Sequence, residues 1–121
     1  MSVTTAEVAE IIRGVSTRVI DPGFRRLSPD QIHEKAPGDL VTDLDRQAEG
    51  ELSRLLTSAG GGIVVGEESV HDDASVLQEL PTAELVWVID PIDGTKNYVN
   101  GSTHHAVMVA EVQHGVTTRS W

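Results

Sequence analysis

Two aspartates bracketing a proline, followed by a glycine and a threonine, are the residues of this chain best arranged for chemistry. They lie in the segment Trp87-Val88-Ile89-Asp90-Pro91-Ile92-Asp93-Gly94-Thr95-Lys96-Asn97-Tyr98. An apolar run over residues 85–89 reads as a buried strand that delivers Asp90 and Asp93 to the mouth of a site. Gly94 then permits a bend, and residues 95–99 read as a short helix whose first N–H groups point at the same place. Paired carboxylates bind a hard cation through oxygen. A helix N-terminus binds an anion such as phosphate. Together they point to a metal-assisted site for a phosphorylated substrate. Taken alone, Asp-Pro and Asp-Gly are also common turn dipeptides, so the neighbouring chain has to decide.

Carboxylates recur at the ends of other expected elements. Glu67 and Glu68 follow an apolar run over residues 63–65, and Asp43 and Asp45 fall in the first turn of an expected helix. Each has a structural explanation of its own: acids favour the positive end of a helix, and a Glu-Glu pair suits a solvated loop. Gathered in one place, however, carboxylates repel one another unless cations compensate. Oxygen-only donors of this kind suit Mg²⁺, which keeps several waters and takes a few carboxylates plus substrate phosphate.

The elements that must position these acids follow from periodicity. Val8, Ile11, Ile12, Val15 and Val19 form one helical stripe, with Thr4 and Glu7 spaced as a capping box and Asp21-Pro22-Gly23 as its stop. Residues 24–38 read as a loop or hairpin. A second helix begins after Thr42, shows an apolar face through Leu44, Ala48, Leu52, Leu55 and Leu56, and ends at Gly60-Gly61-Gly62. Residues 70–82 read as an acidic connection with a helical turn around residues 76–80. Residues 106–112 and 116–121 read as strands joined by a tight turn at His114-Gly115. The order predicts an α+β fold, with two N-terminal helices packed on one face of a largely antiparallel sheet.

Bulk properties narrow the function classes. The chain has 121 residues, a formal net charge of -10 and no cysteine; 39% of it is hydrophobic but only 3% aromatic. Its length supports one domain with an aliphatic core. The acidic excess argues against nucleic acid or an anionic membrane as main partner. Without cysteine there are no disulfides, thiolate metal sites or thiol nucleophiles, which is compatible with a cytoplasmic location. The N-terminus lacks a basic start and an apolar stretch, so it does not read as a secretory signal. An EF-hand is also excluded, because its alternating ligand spacing is missing.

Gly66-Glu67-Glu68-Ser69 and the Asp90-Pro91-Ile92-Asp93-Gly94-Thr95 segment resemble the two signature segments of the inositol monophosphatase family, the Mg²⁺-dependent, lithium-sensitive phosphatases. Lys35 and Asp39-Leu40-Val41-Thr42-Asp43-Leu44-Asp45 are similar to a third. The resemblance implies a layered αβαβα sugar-phosphatase fold, of which residues 1–121 would be the N-terminal, metal- and phosphate-binding lobe without its C-terminal lobe. It implies two or three Mg²⁺ ions, replaceable by Mn²⁺ and inhibited by Li⁺. Glu67, Asp90, Asp93 and the Ile92 carbonyl would be metal ligands. Glu67, Asp45 and Thr95 would act on the attacking water, and Asp93, Gly94 and Thr95 would meet the substrate phosphate. Glu68 matches an acid linked to a third metal; Asp43 carries no role.

The chain departs from the family in lacking a second-lobe aspartate and in its Gly101-Ser102-Thr103-His104-His105 segment, whose histidines read as packing or surface residues. The expected function is hydrolysis of a small phosphate monoester, inositol 1-phosphate first, by an impaired, cytoplasmic homodimer. Alternatives are a histidinol-phosphate or phosphoadenosine-phosphate phosphatase, or a non-catalytic metal-binding lobe.

Overall fold

The computed structural model describes residues 2–121. Helix α1 (Thr5–Val15) starts where the Thr4 hydroxyl accepts Glu7 N–H at 3.1 Å, the usual role of a threonine cap. The helical path ends at Asp21-Pro22-Gly23, as the sequence reading has it, but it is not one regular α-helix. It continues through a π-helical stretch, Ser16–Ile20, into a last turn, α2 (Asp21–Gly23). The widened register restarts the ladder just ahead of Pro22, which therefore sits in a first turn where a missing N–H costs nothing.

Strands β1 (Ile32–Ala36) and β2 (Asp39–Thr42) form an antiparallel hairpin closed by Pro37-Gly38, with Gly38 at a φ of 78°. Helix α3 (Asp43–Gly60) begins directly from β2, through a capping box between Thr42 and Asp45. The main sheet has the order β3-β4-β5-β6. β3 (Ile63–Gly66) runs parallel to β4 (Val86–Asp93), while β5 (Ala106–Gln113) and β6 (Val116–Ser120) continue antiparallel. His114 and Gly115 close the last hairpin with φ values of 50° and 81°, the left-handed pair that a two-residue turn requires.

Two short helical elements complete the chain. α4 (Glu67–Asp72) follows β3 without a break, and a 3₁₀ stretch, Ala74–Glu79, follows it. The sequence reading anticipates only the second. α5 (Thr95–Val99) follows β4 as expected. On one sheet face Trp87, Ile89 and Val109 pack against Val8, Leu52 and Leu56. On the other, Val65, Val86 and Val112 are partly covered by Val70, Leu80 and Ala83. The α+β arrangement with α1 and α3 on one face is thus the observed one.

Tyr98 ties α5 to the N-terminal helices. It is fully buried, and its hydroxyl donates to the Ile20 carbonyl at 2.5 Å. His105 meets its ring edge-on at 5.0 Å, and Phe24 packs at 5.8 Å. Burial, aided by Asp45 and Asp21, pushes the Tyr98 pKa up to about 12, so the donor is always protonated at neutral pH. Tyr98→Phe keeps the ring but strands the Ile20 carbonyl, and should lower stability by about 1–3 kcal/mol in urea unfolding. A change below a few tenths would show that the bond does not anchor α5.

Candidate active site

Asp45 is the acid that links the two halves of the site. It is fully buried at the start of α3. Its Oδ2 accepts the Thr42 N–H at 2.7 Å and the Thr42 hydroxyl at 2.6 Å. Its Oδ1 lies 2.9 Å from the Thr95 hydroxyl, on an element 50 residues away. The same hydroxyl is 3.0 Å from the Ile92 carbonyl, and its one hydrogen serves one of these acceptors at a time. Burial raises the Asp45 pKa, and the Thr42 and Thr95 donors work against that rise.

The bend that presents Asp90, Ile92 and Asp93 is a bulge. Asp90 pairs with Met108 and Asp93 with Ala106, so three steps on β4 face two on β5. The strand therefore runs on to Asp93 instead of ending at Ile89. A bulge is where a strand tolerates proline, and it re-aims side chains. Gly94 follows at a φ of 84°, and a Cβ there would lie 2.9 Å from the His104 carbonyl. Only glycine fits that turn, which launches α5 with Tyr98 N–H donating to the Gly94 carbonyl at 3.0 Å.

Glu67 and Glu68 open α4. Glu67 is exposed, whereas Glu68 is only 3% exposed and its Oε2 has no hydrogen-bond partner. A residue absent from the sequence reading explains how this Glu-Glu segment is held. The buried carboxylate of Glu49 accepts Glu68 N–H at 2.8 Å and Ser69 N–H at 3.0 Å. Ser69 in turn accepts the Gly66 N–H at 3.0 Å. Any side chain at Gly66 would run into the Glu49 carboxylate. The signal for Glu49 was present in sequence: an acid one helical turn after Asp45, on the buried stripe of Ala48 and Leu52.

Asp90 lies close to this group. Burial, then Glu67, with Asp93 and Asp45 beyond it, pushes its pKa up to about 8. Its Oδ1 also has no partner. Burial raises Glu68 and Glu49 as well. A positive charge is present on the other side: Lys35 Nζ reaches from β1 to 3.4 Å from both Glu67 Oε1 and Glu68 Oε1. The acids converge without closing, and among the described residues no three Asp, Glu or His side chains gather around one point tightly enough to hold an ion by themselves. Orphaned buried oxygens among mutually repelling carboxylates nonetheless fit a hydrated divalent cation, which needs only one or two carboxylates from the protein.

The other singled-out residues lie outside this group. Asp43 points away and pairs with His33, Nε2 to Oδ1 at 2.8 Å. His105 accepts or donates at the Ser102 carbonyl, 3.0 Å away, and stacks on Phe24 at 5.2 Å. The packing reading of that histidine agrees with the structure. No helix among the described residues is long and apolar enough to cross a membrane.

Known proteins share the sequence and fold of this chain. The fructose-1,6-bisphosphatase/inositol-1-monophosphatase of Aquifex aeolicus is 33% identical over 108 residues, which are 88% of this chain and 38% of that protein. The Nus factor SuhB of Pseudomonas aeruginosa is 37% identical over 88 residues, 72% of this chain and 31% of that protein. The solved structure of a Thermotoga maritima IMPase superposes with a TM-score of 0.73 at 24% identity, covering 92% of this chain and 40% of that one. That likeness shows a shared fold. The chain therefore spans 31% to 38% of the length of these curated relatives. Since the family model for the inositol monophosphatase family matches residues 2–120, the chain belongs to that family.

Proposed function

We propose that this chain forms the metal- and phosphate-binding part of a Mg²⁺-dependent phosphatase acting on a small phosphate monoester, inositol 1-phosphate being the first substrate to test. The observation that carries this reading is the pair of partnerless buried oxygens, Glu68 Oε2 and Asp90 Oδ1, in a crevice of crowded carboxylates. Glu67, Asp90, Asp93 and the Ile92 carbonyl would hold Mg²⁺ or Mn²⁺, with Glu68 serving a further ion; Li⁺ would inhibit. When bound, such ions activate water for attack on phosphorus and neutralise the leaving oxygen.

The remaining chemistry falls to the chain's own groups. With its hydrogen donated to Asp45, 2.9 Å away, the Thr95 hydroxyl keeps lone pairs that accept a hydrogen from the attacking water. Asp45 is supported in this role by Thr42, which fixes its other oxygen. Glu67 would orient the same water from the opposite side. The N–H groups of Gly94 and Thr95 would receive the phosphate, with Asp93 beside it. Direct attack by water needs no protein nucleophile, which suits a chain without cysteine whose acids serve as ligands. It also leaves the site indifferent to redox conditions, in keeping with a cytoplasmic location.

Homodimer formation belongs to the same proposal. An apolar groove of about 560 Å³ lined by Val88, Met108, Ala110 and Trp121 runs past Asp90. Met108 is 48% exposed there and Val116 on the edge strand 63%. Exposed apolar strips beside an open strand edge favour association. Light scattering over a concentration series should give a dimer mass; a monomer throughout would remove this part alone.

Two measurements test the metal and the chemistry. Asp90→Asn should weaken Mg²⁺ binding in calorimetry by at least about tenfold, the loss that disturbing even an outer partner of a metal brings. The same change should raise the melting temperature of the metal-free chain near neutral pH, because burial beside Glu67 makes folding protonate the Asp90 carboxylate, a cost an amide does not carry. Unchanged Mg²⁺ affinity would overturn the assignment. Phosphate release from inositol 1-phosphate should require Mg²⁺ and vanish in EDTA. In a version carrying both lobes, Thr95→Ala should cut kcat by about 10²- to 10⁴-fold with little change in KM, as loss of proton-transfer assistance does. A rise in KM at constant kcat would make Thr95 a capping residue.

A further inference from the structure

Helix α4 starts at a residue that has no side chain to cap it. Gly66 stands at the cap position, so the N–H groups of Glu68 and Ser69 lack the side-chain oxygen that a serine or aspartate there would offer. Glu49 provides it from α3. Its buried carboxylate accepts Glu68 N–H at 2.8 Å through Oε1 and Ser69 N–H at 3.0 Å through Oε2. An anion on the first N–H groups also meets the positive end of the helix. The far end of α4 is held separately, by Arg46 on Asp72 at 3.0 Å. Loss of the Glu49 tie would therefore loosen the end that carries Glu67 and Glu68 without freeing the whole helix.

Gly66 is not required by its backbone. Its φ of -107° and ψ of 154° are extended values open to any residue. What is missing is room for a Cβ, which would lie 2.6 Å from each carboxylate oxygen of Glu49. The glycine that opens the Gly66-Glu67-Glu68 segment marks a close approach, and what approaches is this carboxylate.

We propose that Glu49 is a positioning residue for the metal centre: by capping α4 from another helix it fixes where Glu67 and Glu68 present their carboxylates, and Gly66 is the residue that gives it access. This rests on the metal dependence proposed above. Glu49 turns both oxygens to the backbone of α4 and acts through Glu67 and Glu68, not as a ligand.

Two substitutions break the tie without altering charge, so a change in Mg²⁺ affinity cannot come from a lost carboxylate. Glu49→Asp keeps the acid and withdraws it by one methylene from the two N–H groups. Gly66→Ala leaves Glu49 in the chain and pushes its carboxylate, the free end of a flexible side chain, off them. In EDTA, amide hydrogen exchange at Glu68 and Ser69 should be faster in both variants at temperatures well below melting, as local opening predicts. In calorimetry each should bind Mg²⁺ about tenfold or more weakly, the loss that disturbing an outer partner of a metal brings. The double variant should bind no more weakly than the worse single one, because both changes remove the same contact. Should Glu49→Asp fail to fold without metal, Gly66→Ala alone decides. Faster exchange with Mg²⁺ affinity unchanged would make Glu49 a tie of the fold only and overturn the proposal, leaving the metal site standing. Losses of affinity that add in the double variant would overturn it as well. No Mg²⁺ binding by wild type overturns the metal reading and this proposal with it.

Discussion

Carboxylates brought together out of water repel one another, and much of this structure is organised around tolerating that repulsion. Asp45, Glu49, Glu68 and Asp90 all have their protonated forms favoured by burial. A fold under selection for stability alone would place apolar residues at such positions, because unpaired buried charge costs several kcal/mol, on the order of 3–5. The acids fall into two kinds by their surroundings. Asp45 and Glu49 have both oxygens engaged by donors and act as structural ties. Glu68 and Asp90 keep an oxygen without a partner. The satisfied acids hold the unsatisfied ones in position, as a binding site requires of the groups behind it.

Asp45 ties the end of the β1–β2 hairpin and the start of α3, which adjoin in sequence, to α5, 50 residues further on after the bulge in β4. Glu49, one turn further along α3, does the same for α4. One face of one helix therefore sets the positions of both acidic segments. The same stripe, continued through Ala48, Leu52 and Leu56, packs α3 against the sheet and fixes its rotation. Site geometry and core packing are properties of the same helix. Disturbing the core would be felt at the acids, and the exposed hairpin arm is the part of the site least constrained by it.

Where local chemistry decides structure, the sequence was readable. Thr42 with Asp45 three residues on starts α3, His114-Gly115 makes the turn between β5 and β6, and Gly94-Thr95 begins α5. Where a distant residue decides, it was not. α4 is too short and acidic to persist alone; it forms because Glu49, 19 residues earlier, accepts the Glu68 N–H. The helical path ends at Asp21-Pro22-Gly23 as read, but the π-helical register that carries it there is signalled by no residue type. The end of β4 was placed at Ile89 because proline argues against a strand, and the bulge that accommodates Pro91 depends on the pairing partner in β5. Of the site, the acids were legible as residues and Lys35 as part of a family segment. The support from Glu49 and the ion contact of Lys35 emerge only from the fold.

The proposed metal centre requires one thing above all, the claim that these acids are gathered to hold a divalent cation. Crystals of the chain grown with Mn²⁺ and measured for its anomalous signal test that claim at the level of atoms. The expected map has a manganese peak among Glu67, Asp90 and the Ile92 carbonyl. A map with no peak there at saturating Mn²⁺ would contradict it.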